Sequence, residues 1–328
     1  MAGTLPPEEQ PQGALPPSAW PAPGWVAPGH WPPWQTWPPP VARLIAAPPR
    51  RVLSWDHPGL LAALLGGSFI LALILGAPVF ILNWRPGLFL VEVLAFLVPA
   101  WVYMRFLHGR WEGVFAVRRR TAVGLVLAVP MAVSVGFIAG VFVESLFESL
   151  LPEETLRRIG EFWKGLALCR TAGDWTWTLL GIVVAPAVTE EVFFRGVIQR
   201  GLQRRWRRRP ALVVTALIFA GFHLDPLRFV LLFALGLEFG WLYQRTGSVW
   251  PGVVAHGINN LLPVLAVNSP QTMNRFLGGL DGLSLVGLSA LVGVGSLLIF
   301  GVVTRRRRLP VAQVIVLPGP SPGGPAAF

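Results

Sequence analysis

From Pro58 to Asn83 the chain runs without one charged side chain. That stretch exceeds the about 20 residues an α-helix needs to cross the hydrocarbon of a bilayer. In hydrocarbon a backbone must satisfy its own polar groups, which leaves helices and closed barrels. Seven further apolar runs follow, at 87–107, 121–143, 174–199, 210–224, 227–244, 248–267 and 280–303. The expected fold is therefore all-α: a polytopic integral membrane protein of about eight transmembrane helices. Composition agrees, because 53% of the 328 residues are hydrophobic and only 13% charged, with a mean hydropathy of +0.58. An ordinary soluble enzyme carries about a quarter charged residues, so that class is excluded, as is disorder as the main state. The single cysteine, Cys169, excludes an internal disulfide framework and any multi-cysteine metal cluster.

Basic residues orient the spans. With the N-terminus in the cytoplasm and eight spans, nineteen of the 27 Lys and Arg fall on inner segments, among them Arg207 to Arg209 and Arg305 to Arg308. Seven fall outside and Arg195 lies within a span, which is the positive-inside pattern. Both termini are thus expected in the cytoplasm, in a cell (inner) membrane. The net charge of +11 then belongs to the membrane surface and not to nucleic acid.

Three parts are expected: a tail over 1–55, a membrane domain over 56–304, and a basic stop with a second loose tail over 305–328. Residues 1–50 hold 15 prolines and five tryptophans, as in Trp31-Pro32-Pro33-Trp34, and lack the apolar core of a signal peptide. Such composition favours an extended, disordered arm, either resting its tryptophans at the membrane interface or docking a proline-reading partner. Between spans, 144–173 alternates Glu144, Glu148, Glu153, Glu154 and Glu161 with Leu146, Leu150, Ile159, Phe162 and Leu166. It reads as an amphipathic helix on the outer surface.

Ionised groups near a helix centre cost roughly 2.5–3.5 kcal/mol on insertion scales, so each needs a reason. The fourth span carries Glu190, Glu191 and Arg195. Glu191 and Arg195 are four apart with the acid first, the favourable order for a pair on one face. Glu190 is rotated about 100° away and has no basic partner on its helix. A carboxylate buried that way is suited to accept a proton as a general base. His223 ends Phe219-Ala220-Gly221-Phe222-His223, and His256 and Asn260 share a face of the seventh span. Measured from the inner surface, Glu190 lies about 15 Å deep, His256 about 12 Å and His223 about 20 Å on straight helices. Tilt, or a late start of the fifth span, brings all three into one polar cavity opening to the cytoplasm.

Glu-Glu-x-x-x-Arg, then Phe-x-x-x-His, then His-x-x-x-Asn, in this order on membrane helices, resembles the CPBP family. That family comprises CAAX prenyl endopeptidases and bacteriocin-processing proteins. The resemblance covers about 174–267, including Gly240 to Pro251, and leaves the first three spans and both tails aside. It implies an eight-helix intramembrane endopeptidase that cleaves a membrane-anchored peptide or protein. It implies that Glu190 and His223 position and deprotonate a water, that His256 and Asn260 hold the oxyanion, and that Glu191 and Arg195 form an orienting ion pair. Preorganised donors contribute a few kcal/mol to such a step.

Two readings of the centre stay open: a glutamate-activated water with no cofactor, or a zinc held by Glu190, His223 and His256. Asn260 suits an oxyanion donor better than a zinc ligand, and no His-Glu-x-x-His motif is present, which favours the metal-free form. Two rival functions also stand, a non-catalytic membrane scaffold or immunity protein and a proton relay or transporter. No inverted repeat supports the last. Glu238 departs from the family pattern, either lining the same cavity or pairing with Arg245.

Overall fold

The computed structural model describes residues 54–82, 85–107, 109–271 and 282–304. The tail over 1–53, Arg305 to Arg308 and the tail beyond lie outside the described residues. Among those described, every regular element is helical and no strand occurs. Among the described residues, nine helices follow in chain order: α1 Pro58–Ile81, α2 Arg85–Phe106, α3 Arg119–Leu150, α4 Glu153–Ala167, α5 Ala172–Arg205, α6 Arg208–Phe222, α7 Phe229–Thr246, α8 Trp250–Asn268 and α9 Gly282–Val303.

Five of these, α1, α2, α3, α5 and α9, are long and apolar enough to cross a membrane. The sequence also reads spans at α6, α7 and α8, and these fall short by that measure. The reasons are local. Helix α6 has only 15 residues and opens on Arg208 and Arg209. Helix α7 carries Glu238, Gln244 and Arg245, and α8 carries His256, Asn259, Asn260 and Asn268. The segment 144–173 also divides differently from its sequence reading. Residues up to Leu150 continue α3, only α4 lies across the end of the bundle, and α5 already starts at Ala172.

Helix α5 is the centre of the assembly. Two-thirds of its apolar window (67%) is buried, against 17% for α1 and α9 and 28% for α2 and α3. It packs against α2, α6 and α8, while α3 packs against α7, α8 and α9. Ile74, Leu291 and Val302 project outward uncovered, as expected where lipid is the solvent. The core interleaves Phe96, Phe193, Phe194, Phe219 and Phe239, with Phe193 and Phe194 edge to face at 5.0 Å.

Two prolines shape the helices that carry the site. Pro99 and Pro186 lack an N–H and clash with the carbonyl four residues back. In each case a π turn stands just before the proline, over Val93–Leu97 in α2 and Leu179–Val184 in α5. A wider turn absorbs the clash without breaking the helix. A second π turn, Glu191–Gln199, begins immediately after Glu190.

One end of the bundle is rich in arginine. There Tyr103 donates to the Trp55 carbonyl at 2.5 Å, and Arg200 and Arg204 stand over the Trp55 ring at 5.2 and 5.5 Å. Asp56 accepts from Ser54 and Arg204 and pairs with Arg205, which ties the start of α1 to the end of α5. At the opposite end Arg85 bonds the Leu168 carbonyl at 2.7 Å and pairs with Asp174 at 3.0 Å. Asn268 accepts from the Cys169 N–H at 2.7 Å and donates to the Ala167 carbonyl at 2.8 Å. The polar face of α4 is solvated, with Arg157 and Arg158 on Glu154, and Arg228 stacks on Trp163 at 4.1 Å.

Candidate active site

The site is built on α5. Glu191 and Arg195 form an ion pair at 2.7 Å with both side chains wholly buried. Arg195 also donates to the Gly236 carbonyl at 3.2 Å, and its guanidinium lies over the rings of Phe219 at 4.6 Å and Phe239 at 5.3 Å. Aromatic faces are the apolar surface that best receives a desolvated cation. The second Glu191 oxygen abuts Gly252 of α8, where a Cβ would stand 2.7 Å away. Only glycine leaves room there.

His256 comes from α8 to the same carboxylate, with Nδ1 3.3 Å from Glu191 Oε1 and its ring stacked on Phe239 at 5.0 Å. His223, the residue after the last turn of α6, places Nδ1 2.9 Å from the Phe219 carbonyl. A carbonyl and an ionised carboxylate only accept, so each Nδ1 carries its proton and each Nε2 is left for other partners. Phe219 joins the two, its ring 4.9 Å from that of His223 and 5.9 Å from that of His256. His223 is exposed on the protein surface whereas His256 is 4% exposed. Leu224, directly after His223, sits at φ 50°. That left-handed conformation costs a non-glycine residue roughly 1–2 kcal/mol and turns the chain sharply at the histidine.

Glu190 stands apart from this set. It is 6% exposed, and its Oε2 has no hydrogen-bond partner. No hydrogen bond joins it to His223, His256 or Asn260 among the described residues. Asn260 points elsewhere too, donating Nδ2 to the Ile182 carbonyl of α5 at 3.0 Å. That carbonyl lacks its i+4 donor because residue 186 is proline, so an amide from α8 replaces the missing N–H.

Glu190, His223 and His256 do not gather as a zinc set: among the described residues no three His, Cys, Asp or Glu side chains are grouped to hold a metal ion. Glu238 does not pair with Arg245, which lies over Trp241 at 5.2 Å. Its carboxyl is buried with neither oxygen partnered, within electrostatic reach of Glu191.

Sequence reasoning passed over Glu92. It is the one charged residue in the run Gly87–Met104, and its Oε2 accepts a hydrogen bond from Thr189 Oγ1 at 2.8 Å. Gln199, fully buried and donating to the Gly240 carbonyl at 2.9 Å, was equally unmarked. Its apparent place near the arginine-rich end of α5 hid its burial.

The helical bundle, with five helices long and apolar enough to cross a membrane, defines a multi-pass membrane protein with buried ionisable side chains on its central helix. A family model described as "Type II CAAX prenyl endopeptidase Rce1-like" matches residues 172–262. That segment spans α5 to α8 and carries all of Glu190, Glu191, Arg195, His223, His256 and Asn260. The resemblance seen in the three motifs is thus borne out over the same stretch. The chain is also similar to the "Putative membrane peptidase YdiL" of Bacillus subtilis (strain 168), at 29% identity over 92 residues. This covers 28% of the chain and 37% of that relative, so the chain spans well under half of the relative's length. No solved structure matches the chain.

Proposed function

We propose that this protein is an intramembrane endopeptidase of the CAAX-protease type, which hydrolyses a peptide bond of a membrane-anchored peptide or protein. The observation that carries the reading is the family match over a segment in which Glu190 is buried with an oxygen that has no hydrogen-bond partner, as are Glu191 and Glu238. A packing role accounts for the bonds of His256 and Asn260 but leaves that oxygen without one.

Glu190 takes a proton from a water that His223 orients through Nε2, and the water oxygen attacks the scissile carbonyl. The carbonyl oxygen becomes an oxyanion. Asn260 meets it with the second Nδ2 hydrogen, its amide already oriented by Ile182. His256, its ring held by Glu191, is the second group that holds the oxyanion. Glu190 then returns the proton to the amine nitrogen as the C–N bond breaks, which leaves a carboxylic acid and an amine. Glu191 and Arg195 hold the helix and the imidazole in place.

The test is cleavage of a fluorogenic membrane-anchored peptide library by the purified full chain in liposomes. Glu190→Ala and His223→Ala should each cost about 10²–10⁴-fold in turnover, the range for a general acid–base group, with folding unchanged. Turnover that survives Glu190→Ala would overturn the assignment. A chelator arm separates a bare glutamate from a metal-bound water.

A further inference from the structure

Arg228 is a cation that the reaction above does not use, and it stands five residues after His223. Between them Leu224 takes its left-handed turn, and Pro226 disfavours helix at Asp225. Asp225 closes this connection on itself. One carboxylate oxygen accepts from the Arg228 N–H at 3.1 Å and the other faces Arg228 Nε at 3.5 Å. The Arg228 guanidinium then reaches across to α4 and lies over the Trp163 ring at 4.1 Å. Glu144 and Glu148 of α3 border the same cleft, and neither pairs with the arginine among the described residues.

Trp163 is a fixed post. Just after it, the Gly165 and Leu168 carbonyls accept from Arg85 of α2 at 3.2 and 2.7 Å. Asn268 of α8 donates to the Ala167 carbonyl at 2.8 Å and accepts from the Cys169 N–H at 2.7 Å. Phe162 meets the Trp163 ring edge to face at 5.4 Å. The end of α4 is therefore tied to two other helices before Arg228 leans on it.

His223 needs such a hold on its far side. Its Nδ1 bond runs to Phe219 and fixes the ring only relative to α6. Upstream, Phe222 is seated 5.2 Å from Phe69 and 5.3 Å from Phe194, which anchors the end of that helix. Downstream, the strained backbone at Leu224 persists only where its surroundings over-determine it. Among the described residues, the stacking of Arg228 on Trp163 is the one polar tie from 223–228 to a helix other than α6 and α7.

We propose that Trp163 and Arg228 form a brace that positions His223: α4 holds Arg228, Arg228 holds Asp225, and Asp225 fixes the turn that sets where His223 Nε2 meets the water. The inference rests on the role of His223 given above.

Two readouts test it on the full chain in liposomes, and the first needs no turnover. It is the solid-state nitrogen NMR spectrum of the histidine rings, in which His223→Gln identifies the His223 resonances. Trp163→Leu and Arg228→Ala should each shift or split them, while those of His256, held from α5, stay in place. Trp163→Phe keeps an aromatic face for the guanidinium and should retain the wild-type spectrum. His223 resonances unmoved in both disruptive variants overturn the proposal whether or not the protein cleaves peptides. Movement of the His256 resonances to the same extent is a general loosening and overturns it as well.

The second readout is turnover of a membrane-anchored peptide. Each disruptive variant should lower kcat roughly 10–100-fold, the scale of a misplaced reacting group, with KM unchanged. Trp163→Phe should turn over as the wild type does. The double variant should be no slower than the slower single one, because both residues act through one contact. Losses that multiply in the double variant mean two separate roles and overturn the brace. So does a shifted His223 with kcat unchanged, in a wild type that cleaves. A shifted His223 in a protein whose wild type cleaves nothing supports the brace and counts only against the protease reading.

Discussion

Glu191 Oε1 is shared between two helices: it receives Nη1 of Arg195 at 2.7 Å on its own helix and faces Nδ1 of His256 at 3.3 Å from α8. One oxygen therefore fixes the arginine and the histidine ring together. Glu191→Gln removes the charge that both donors use and leaves Arg195 buried without a counterion. Breaking one partner of a buried pair costs about 3–5 kcal/mol. We expect a sharply lowered unfolding temperature, and in any protein that folds, a lower kcat from the unanchored His256. Loss of activity with stability intact would assign Glu191 to the chemistry itself.

Gly252 gives a gentler probe of the same contact. A methyl group there would stand 2.7 Å from Glu191 Oε2, and the carboxylate has no freedom to retreat while Arg195 and His256 hold its other oxygen. Gly252→Ala should cost about 1–3 kcal/mol, as overpacking of a filled core does. Gly257→Ala, five residues on, meets only the Ala187 side chain at 3.7 Å and should be nearly silent. Thermal unfolding of the two variants side by side decides it.

The parts of this site set by local spacing were legible in the sequence. Glu191 and Arg195 pair because i and i+4 share a helix face, and one such helix needs no knowledge of the fold. Glu238 marked itself as out of pattern, but its isolation from Arg245 depends on where Trp241 lies. Glu92 announced itself only as one charge in an apolar run. Its meaning comes from Thr189, 97 residues later in the chain. The span count is legible in part for the same reason: five helices are long and apolar enough to cross a membrane, while α6, α7 and α8, read as spans from the sequence, fall short of that measure through their length or the polar residues they carry.

Asn260 has two possible duties that a double-mutant cycle separates. It supplies the Ile182 carbonyl with a donor that Pro186 is unable to give. Asn260→Ala alone should lose about 1 kcal/mol for that bond, plus the turnover owed to the oxyanion. With Pro186→Ala, the backbone N–H at 186 takes over, and the stability cost of Asn260→Ala should shrink while the loss of turnover persists. If both losses vanish together in the Pro186→Ala background, Asn260 serves packing and not the oxyanion.

Asp56 supplies a pH dependence outside the membrane segments. Burial alone would raise its carboxyl, but the hydrogen bonds from Ser54 and Arg204 and the charges of Arg205 and Arg204 outweigh it and hold the group below the ordinary carboxylate range. A carboxyl depressed in the folded state adds stability above its unfolded value, and that stability is lost as pH falls through the folded value. Arg204 and Arg205 are half exposed, so water screens the pair and Asp56→Asn should cost no more than about 1 kcal/mol at neutral pH. The unfolding temperatures of wild type and Asp56→Asn should therefore differ by only a few degrees at neutral pH. They should converge as the pH is taken below about 4, where the wild-type carboxyl begins to protonate. A gap that stays constant down to about pH 3 would mean that the α1–α5 tie depends on the Trp55 stacking and the backbone bond from Arg205, with the charge of Asp56 contributing nothing.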